Sequence, residues 1–221
     1  MKTVFLTNIK NDFDRELAAV FAKNNWEVIF GEGDSPCAKK ADLKSRTESL
    51  SLQCEKIDLY IDTTCFHEEN DTKTVKEGID RAVILASFRE NFLRPVWYLE
   101  TVLPLMEKAE AEHEDDAVKR IVFINTAESS VNWNINTSGY GYSMARAALN
   151  NATSTFVNKL LPLGYTFRMF DPMYGKVSAK AAAGACYGYV LRGRCDDDGD
   201  PRCQDERRLV IRDAMAREIP W

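Results

Sequence analysis

A doubly wound α/β domain with a mainly parallel sheet is the fold class this sequence predicts. Three observations carry it. Short apolar runs suited to buried strands alternate with helical patterns along nearly the whole chain. The opening strand–turn–helix–strand, residues 2–30, has the length of one βαβ unit. The chain has 221 residues, of which 45% are hydrophobic and 29% charged, enough for one domain over 1–221 with a sizeable core.

The elements follow in order. Lys2 to Thr7 is an apolar run bounded by polar residues, a buried strand. Asn11 to Asp14 is a turn of capping residue types, and Arg15 to Asn24 carries Leu17, Ala18, Val20, Phe21 and Ala22 at helical spacing. Trp26 to Phe30 is a second strand, ending at Gly31-Glu32-Gly33. Residues 34–54 are polar, so a third strand there is short or irregular. Ile57 to Ile61 is the next strand, closed by Asp62-Thr63-Thr64-Cys65. Thr74 to Ala109 reads as helix, broken near Ser87 to Glu90, with Pro95 tolerated in the first turn of the second part. Arg120 to Asn125 is a strand, Ser143 to Leu161 a helix, Tyr165 to Phe170 a strand and Ser178 to Leu191 an alanine-rich helix. An acidic loop from Cys195 to Asp205 precedes a last strand, Arg208 to Arg212.

Composition narrows the function. A net charge of −5 excludes a strongly basic nucleic-acid binder. A run of only three apolar residues, Val4 to Leu6, precedes Thr7, too short a core for a secretory signal, and no run approaches a membrane span, so a cytoplasmic protein is expected. Six cysteines and two histidines, His67 and His113, show no clustered ligand spacing, so no metal site is expected. The run Asp196-Asp197-Asp198-Gly199-Asp200 lacks the order of a calcium loop and reads as solvated. Glu32 reads as a loop acid at a place where a carboxylate could grip a ribose. Glycine is scarce, at 11 residues in the chain, about 5% against a usual 7% or so.

Several segments together resemble the short-chain dehydrogenase/reductase family. Tyr142-Ser143-Met144-Ala145-Arg146-Ala147-Ala148-Leu149 is similar to its active-site helix, which carries Tyr-x-x-x-Lys. Lys119 to Thr126 resembles the strand leading to the catalytic serine, and Ile57 to Cys65 the strand ending in Asn-Asn-Ala-Gly. Asn91, twelve residues before Leu103-Pro104, matches the helix asparagine of the catalytic tetrad, and Pro172 stands where the family has Pro-Gly. The resemblance covers nearly the whole chain in the right order and implies a Rossmann-like domain. It also implies a catalytic set of Tyr142, Arg146 and Asn91 with a hydroxyl from either Thr126 or Ser129. Thr126 takes the serine's place along the strand, whereas Ser129, thirteen residues before Tyr142, has the usual interval.

The departures fall on the cofactor. The family's turn Thr-Gly-x-x-x-Gly-x-Gly reads Thr7-Asn8-Ile9-Lys10-Asn11-Asp12-Phe13-Asp14, so Asn8, Asp12 and Asp14 replace all three glycines. Asn-Asn-Ala-Gly reads Asp62-Thr63-Thr64-Cys65, the lysine is Arg146, and the glycine after Pro172 is Met173. A pyrophosphate needs bare amides at a helix start and close backbone approach. Aspartates there cap the helix themselves and repel phosphate, by about 4 kcal/mol for unit charges 4 Å apart at an effective dielectric near 20. Arg146, one helical turn beyond Tyr142, remains a cation able to polarise the phenol but does not reproduce a lysine's grip on ribose hydroxyls.

Three functions follow. The leading expectation is a degenerate member that binds no NAD(P) in the usual way and acts as a non-catalytic or assisting subunit. It would form a homo-oligomer, or a hetero-oligomer with a related dehydrogenase, through helices 91–109 and 143–161, with Trp97, Tyr98 and Phe156 as apolar contacts. The alternative is an oxidoreductase that uses NAD(P)(H) through Tyr142 and Arg146 on a carbonyl or an alcohol. The second alternative is a cofactor-independent lyase or isomerase with Tyr142 as acid/base. No nucleic-acid or membrane partner is expected.

Overall fold

The computed structural model describes residues 1–31, 48–110, 117–192, 202 and 205–220. Glu32, His113, Cys195, Cys203 and the 196–200 run lie outside these residues. The chain forms one α/β domain around a seven-stranded sheet of order β2-β1-β3-β4-β5-β6-β7. The strands are β1 Lys2–Leu6, β2 Trp26–Phe30, β3 Leu59–Asp62, β4 Arg120–Ile124, β5 Thr166–Asp171, β6 Ile211–Asp213 and β7 Glu218–Ile219. All neighbours pair parallel except β6 and β7. Among the described residues, no strand lies between β2 and β3 in sequence.

Two-residue alternation along the strands builds two cores. Phe5, Tyr60, Ile121, Phe123, Phe167 and Met169 face one layer of helices. Val4, Leu6, Leu59, Ile61, Val122 and Phe170 face the other. The second layer is α1 Asp12–Lys23 and α5 Ala179–Leu191, whose Phe13, Leu17, Phe21, Cys186 and Val190 fill that core. The first layer holds α2 Arg81–Phe88, α3 Arg94–Met106 and α4 Tyr140–Leu160. A short helix, α6 Asp205–Arg208, precedes β6.

Several boundaries differ from the sequence reading. Helix α1 starts at Asp12 rather than Arg15, because Asn11 is its N-cap. Residues 74–80 form a loop with a turn at 75–77, and the helix there begins only after the Asp80 cap. The break near Ser87 to Glu90 is a π-helical turn, Arg89–Leu93, that runs directly into α3. The last strand starts at Ile211 instead of Arg208, because residues 205–208 form a helical turn and Leu209 takes a left-handed φ of 54°. Strand β7 was not anticipated, being two residues long. Tyr98, expected to face a partner, is 5% exposed and packs on Phe5 with ring centroids 5.8 Å apart, so it belongs to the core. Trp97 is half-buried, and Phe156 packs against the first core.

Candidate active site

In a doubly wound sheet, ligands occupy the crevice at the carboxyl ends of the strands, where the strand order reverses. Here that point lies between β1 and β3, since β1 continues to β2 on one side and pairs with β3 on the other. Side chains lace the two strand ends together. Thr7 Oγ1 donates to Asp62 Oδ1 at 3.0 Å and accepts from the Thr63 amide at 2.8 Å. Thr63 Oγ1 donates to the Asn8 carbonyl at 2.9 Å and accepts from the Asn8 amide at 3.1 Å. On the outer side, the Gly31 amide donates to the Leu6 carbonyl at 2.8 Å. A Cβ on Gly31 would stand 2.6 Å from the Thr7 carbonyl and 2.9 Å from the Tyr98 ring, so only glycine lets the chain cross here.

The start of α1 is closed by its own residues. Asn11 Oδ1 accepts from the Asp14 amide at 2.9 Å. In return, Asp14 Oδ2 accepts from the amides of Lys10 at 2.9 Å and Asn11 at 3.2 Å, completing a capping box. Burial outweighs these bonds and pushes the Asp14 carboxyl up to about 6. Asp12 plays a different part from the one expected: it is exposed and pairs with Arg15 along the helix surface. Its carboxylate caps no amide in the described contacts.

Arg146 forms the centre of the site and is fully buried. Its guanidinium donates to Asp62 Oδ2 at 3.1 Å, to the Asn91 carbonyl at 3.1 Å and to the Thr64 carbonyl at 2.8 Å, and it also bonds the Ile124 carbonyl. One side chain thus joins the ends of β3 and β4 to the π-turn. The Asn91 carbonyl is available because Pro95, four residues on, has no amide to offer it. Asp62 is equally buried, and the pair is an internal ion pair with no exposed side-chain surface on either partner.

Tyr142 is 1% exposed at the first turn of α4. That helix start is held by Asp71, whose Oδ2 accepts from the amides of Gly141 at 2.8 Å and Tyr142 at 3.3 Å. The phenol accepts from Thr126 Oγ1 at 3.3 Å. Cys65 Sγ lies 3.9 Å from the phenol oxygen. The His67 ring stacks on the Tyr142 ring at 4.0 Å. Burial raises the phenol well above its ordinary range, and Arg146 opposes that shift without reversing it. The expected activation of Tyr142 by Arg146 is therefore outweighed by desolvation.

Of the two candidate hydroxyls, the structure brings Thr126 to Tyr142. Ser129 Oγ instead donates to the Thr126 carbonyl at 2.8 Å and accepts from Asn150 at 3.2 Å. Asn91 does not face Tyr142 with its amide. Its side chain clamps Phe66, accepting from the Phe66 amide at 2.9 Å and donating to the Phe66 carbonyl at 2.7 Å. The sequence reading missed His67 and Asp71. Cys65 and His67, two apart at a strand ending, share one side in extended chain, and that spacing was the available signal. Met173, after Pro172, takes a left-handed φ of 55°.

No family model matches this sequence, and no curated protein does. Solved structures match the whole chain. A carbonyl reductase from Pseudomonas aeruginosa PAO1 in complex with NADP is 14% identical, with a TM-score of 0.72 over 100% of both chains. A protein from Burkholderia multivorans with bound NADP, assigned as a short-chain dehydrogenase/reductase, is 15% identical, with a TM-score of 0.72 over 100% of this chain and 99% of that one. This is the short-chain dehydrogenase/reductase fold. The NADPH-bound carbonyl reductase from chicken fatty liver, 16% identical, also matches 99% of the chain and 87% of its own length with a TM-score of 0.67.

Within that fold, the described residues contain no group of three or more His, Cys, Asp or Glu side chains able to hold a metal. None of their helices is long and apolar enough to cross a membrane.

Proposed function

We propose that this chain keeps the short-chain dehydrogenase/reductase fold without its usual dinucleotide and acts as a non-catalytic or assisting subunit. The observation that carries the reading is the Arg146–Asp62 pair. In the family pattern the residue at Arg146 is a lysine that reaches cofactor ribose. Here its guanidinium is spent on Asp62 and three backbone carbonyls. Turning that group outward would leave Asp62 unpaired in the interior.

The residues at the crevice fit a dinucleotide poorly. The amides of Lys10 and Asn11, which a phosphate would use, are taken by Asp14. Thr7 and Thr63 bridge the strand ends where backbone would lie bare. Among the described residues, two cavities at this end of the sheet, about 80 Å³ beside Gly31 and Tyr98 and about 270 Å³ between Asn11 and Tyr174, fall below the usual size of a cofactor pocket, roughly 300–1,000 Å³. Assembly with a second copy or with an intact relative, through the faces of α3 and α4, is part of the same proposal.

Titration of the purified protein with NADPH and NADH, followed by nicotinamide fluorescence, tests the reading. The expected result is no saturable signal up to about 1 mM. Binding at micromolar levels overturns it and restores the oxidoreductase alternative.

A further inference from the structure

One cluster of reactive side chains lies at this end of the sheet. Cys65 is half-buried, whereas Cys54 and Cys186, the other described free cysteines, are buried. Cys65 Sγ lies 3.6 Å from His67 Nε2 and 3.9 Å from the Tyr142 phenol. His67 is exposed, so the pair opens to solvent. Its backbone is fixed from three sides: Asp62 bonds Thr7, Asn91 clamps Phe66 with both amide atoms, and Asp71 holds the start of α4. Beside it, the Tyr174 hydroxyl is buried with no hydrogen-bond partner and lies in electrostatic range of Cys65 and Tyr142.

We propose that Cys65 is a nucleophile for activated alkenes, α,β-unsaturated carbonyl compounds, with His67 as its base and Tyr142 as donor to the enolate oxygen. His67 Nε2 takes the thiol proton as the sulfur pair forms the bond to the β carbon. The alkene pair moves through the carbonyl to its oxygen, which the phenol hydrogen-bonds. The imidazolium then returns the same proton to the α carbon and the carbonyl re-forms. Nothing is oxidised or reduced, no group leaves, and no cofactor is consumed. Acyl transfer would need a second proton delivery to a leaving group. Disulfide exchange would need a second thiol, and among the described residues the other two, Cys54 and Cys186, are buried in the two separate cores.

The surroundings suit a thiol that ionises only during reaction. Burial raises Cys65 above its ordinary range, and Asp14 and Glu128 act in the same direction. Arg146 and the Tyr142 hydrogen bond oppose them. A resting neutral thiol resists oxidation, and the imidazole supplies the base at the moment of attack. Asn91 acts only as a positioning residue, through Phe66. The proposal rests on the reading that no dinucleotide covers this end of the sheet.

The test is the rate of Cys65 labelling in the full-length reduced protein, read by peptide mass spectrometry from pH 6 to 10. N-ethylmaleimide serves as the activated alkene and iodoacetamide as an electrophile that forms no enolate. In the wild type, the maleimide rate is expected to level off in the neutral range; a tenfold rise per pH unit up to pH 9 overturns the proposal. His67→Asn is expected to slow labelling about tenfold at pH 7 and far less at pH 10, and equal rates throughout overturn it. Tyr142→Phe is expected to slow the maleimide several-fold more than iodoacetamide, which loses only the phenol's hydrogen bond to the thiolate; equal slowing of both reagents overturns the donor role. Adding NADPH separates this inference from the proposed function. Protection of Cys65 by micromolar NADPH sinks the proposal that the chain lacks its usual dinucleotide, while the maleimide rates without it still decide the thiol's role.

Discussion

Replacing Arg146 by methionine is expected to unfold the protein at a markedly lower temperature. The side chain fits an apolar isostere in length, but Asp62 is left behind with no exposed surface. Breaking a buried pair by removing one partner costs about 3–5 kcal/mol. The three carbonyls that Arg146 also serves, on Thr64, Asn91 and Ile124, lose their donor as well. Taking about 4 kcal/mol, and about 3 °C per kcal/mol for a chain of this length, the melting temperature should fall by about 12 °C. The assay is thermal unfolding by circular dichroism or calorimetry, with Asp62→Asn and the double variant completing a cycle. The double variant, which removes both charges, should recover about 2 kcal/mol relative to the sum of the singles. Arg146→Lys is the sharpest comparison, because a single ammonium with three donors cannot serve four acceptors in a guanidinium's plane. It should lose stability although it restores the family's residue. An Arg146→Met melt within about 3 °C of wild type, or a fully stable Arg146→Lys that gains NADPH binding, would refute the view that this pair is structural.

Two other outcomes follow from the same end of the sheet. Asp14 holds its proton up to about 6 in the folded chain, well above the ordinary carboxylate range of about 4. The folded state therefore binds more protons than the unfolded state between about pH 4 and pH 6, and stability should fall as pH rises through that window, by up to about 3 kcal/mol. Asp14→Asn, which keeps an acceptor for Lys10 and Asn11, should flatten that dependence in urea unfolding; an unchanged pH profile would remove the burial argument. Met173→Gly relieves a left-handed backbone at a φ of 55° and should stabilise the protein by about 1 kcal/mol, read as a rise in urea midpoint; a loss of stability would mean that the contact of the Met173 sulfur with Arg217 matters more.

Much of the fold could be read from the chain because its signals are local. The strands around Val4, Val28, Tyr60, Val122 and Met169 are apolar runs of the right length, and the helices repeat with a period near 3.6. The departures of Asn8, Asp14 and Asp62 from the family pattern were likewise visible, as was the scarcity of glycine. Boundaries set by capping were not fixed by periodicity: Asn11 drew α1 back to Asp12, and Asp80 delayed α2.

What the sequence could not decide was where each polar group would spend its hydrogen bonds. Arg146 was readable as a cation one turn from Tyr142, but only the packed structure turns it inward onto Asp62, 84 residues away. Thr126 and Ser129 were equal candidates on the chain; the turn after β4 sends one to Tyr142 and the other to Asn150. Beyond the two-residue spacing of Cys65 and His67, neither His67 nor Asp71 carries a local signature, and their roles arise when the segment after β3 folds over the start of α4. Periodicity is a property of neighbours in sequence, so it survives in the sequence alone. Burial of a charge, its desolvation and its choice of partner depend on groups distant along the chain, and only the tertiary structure brings them together.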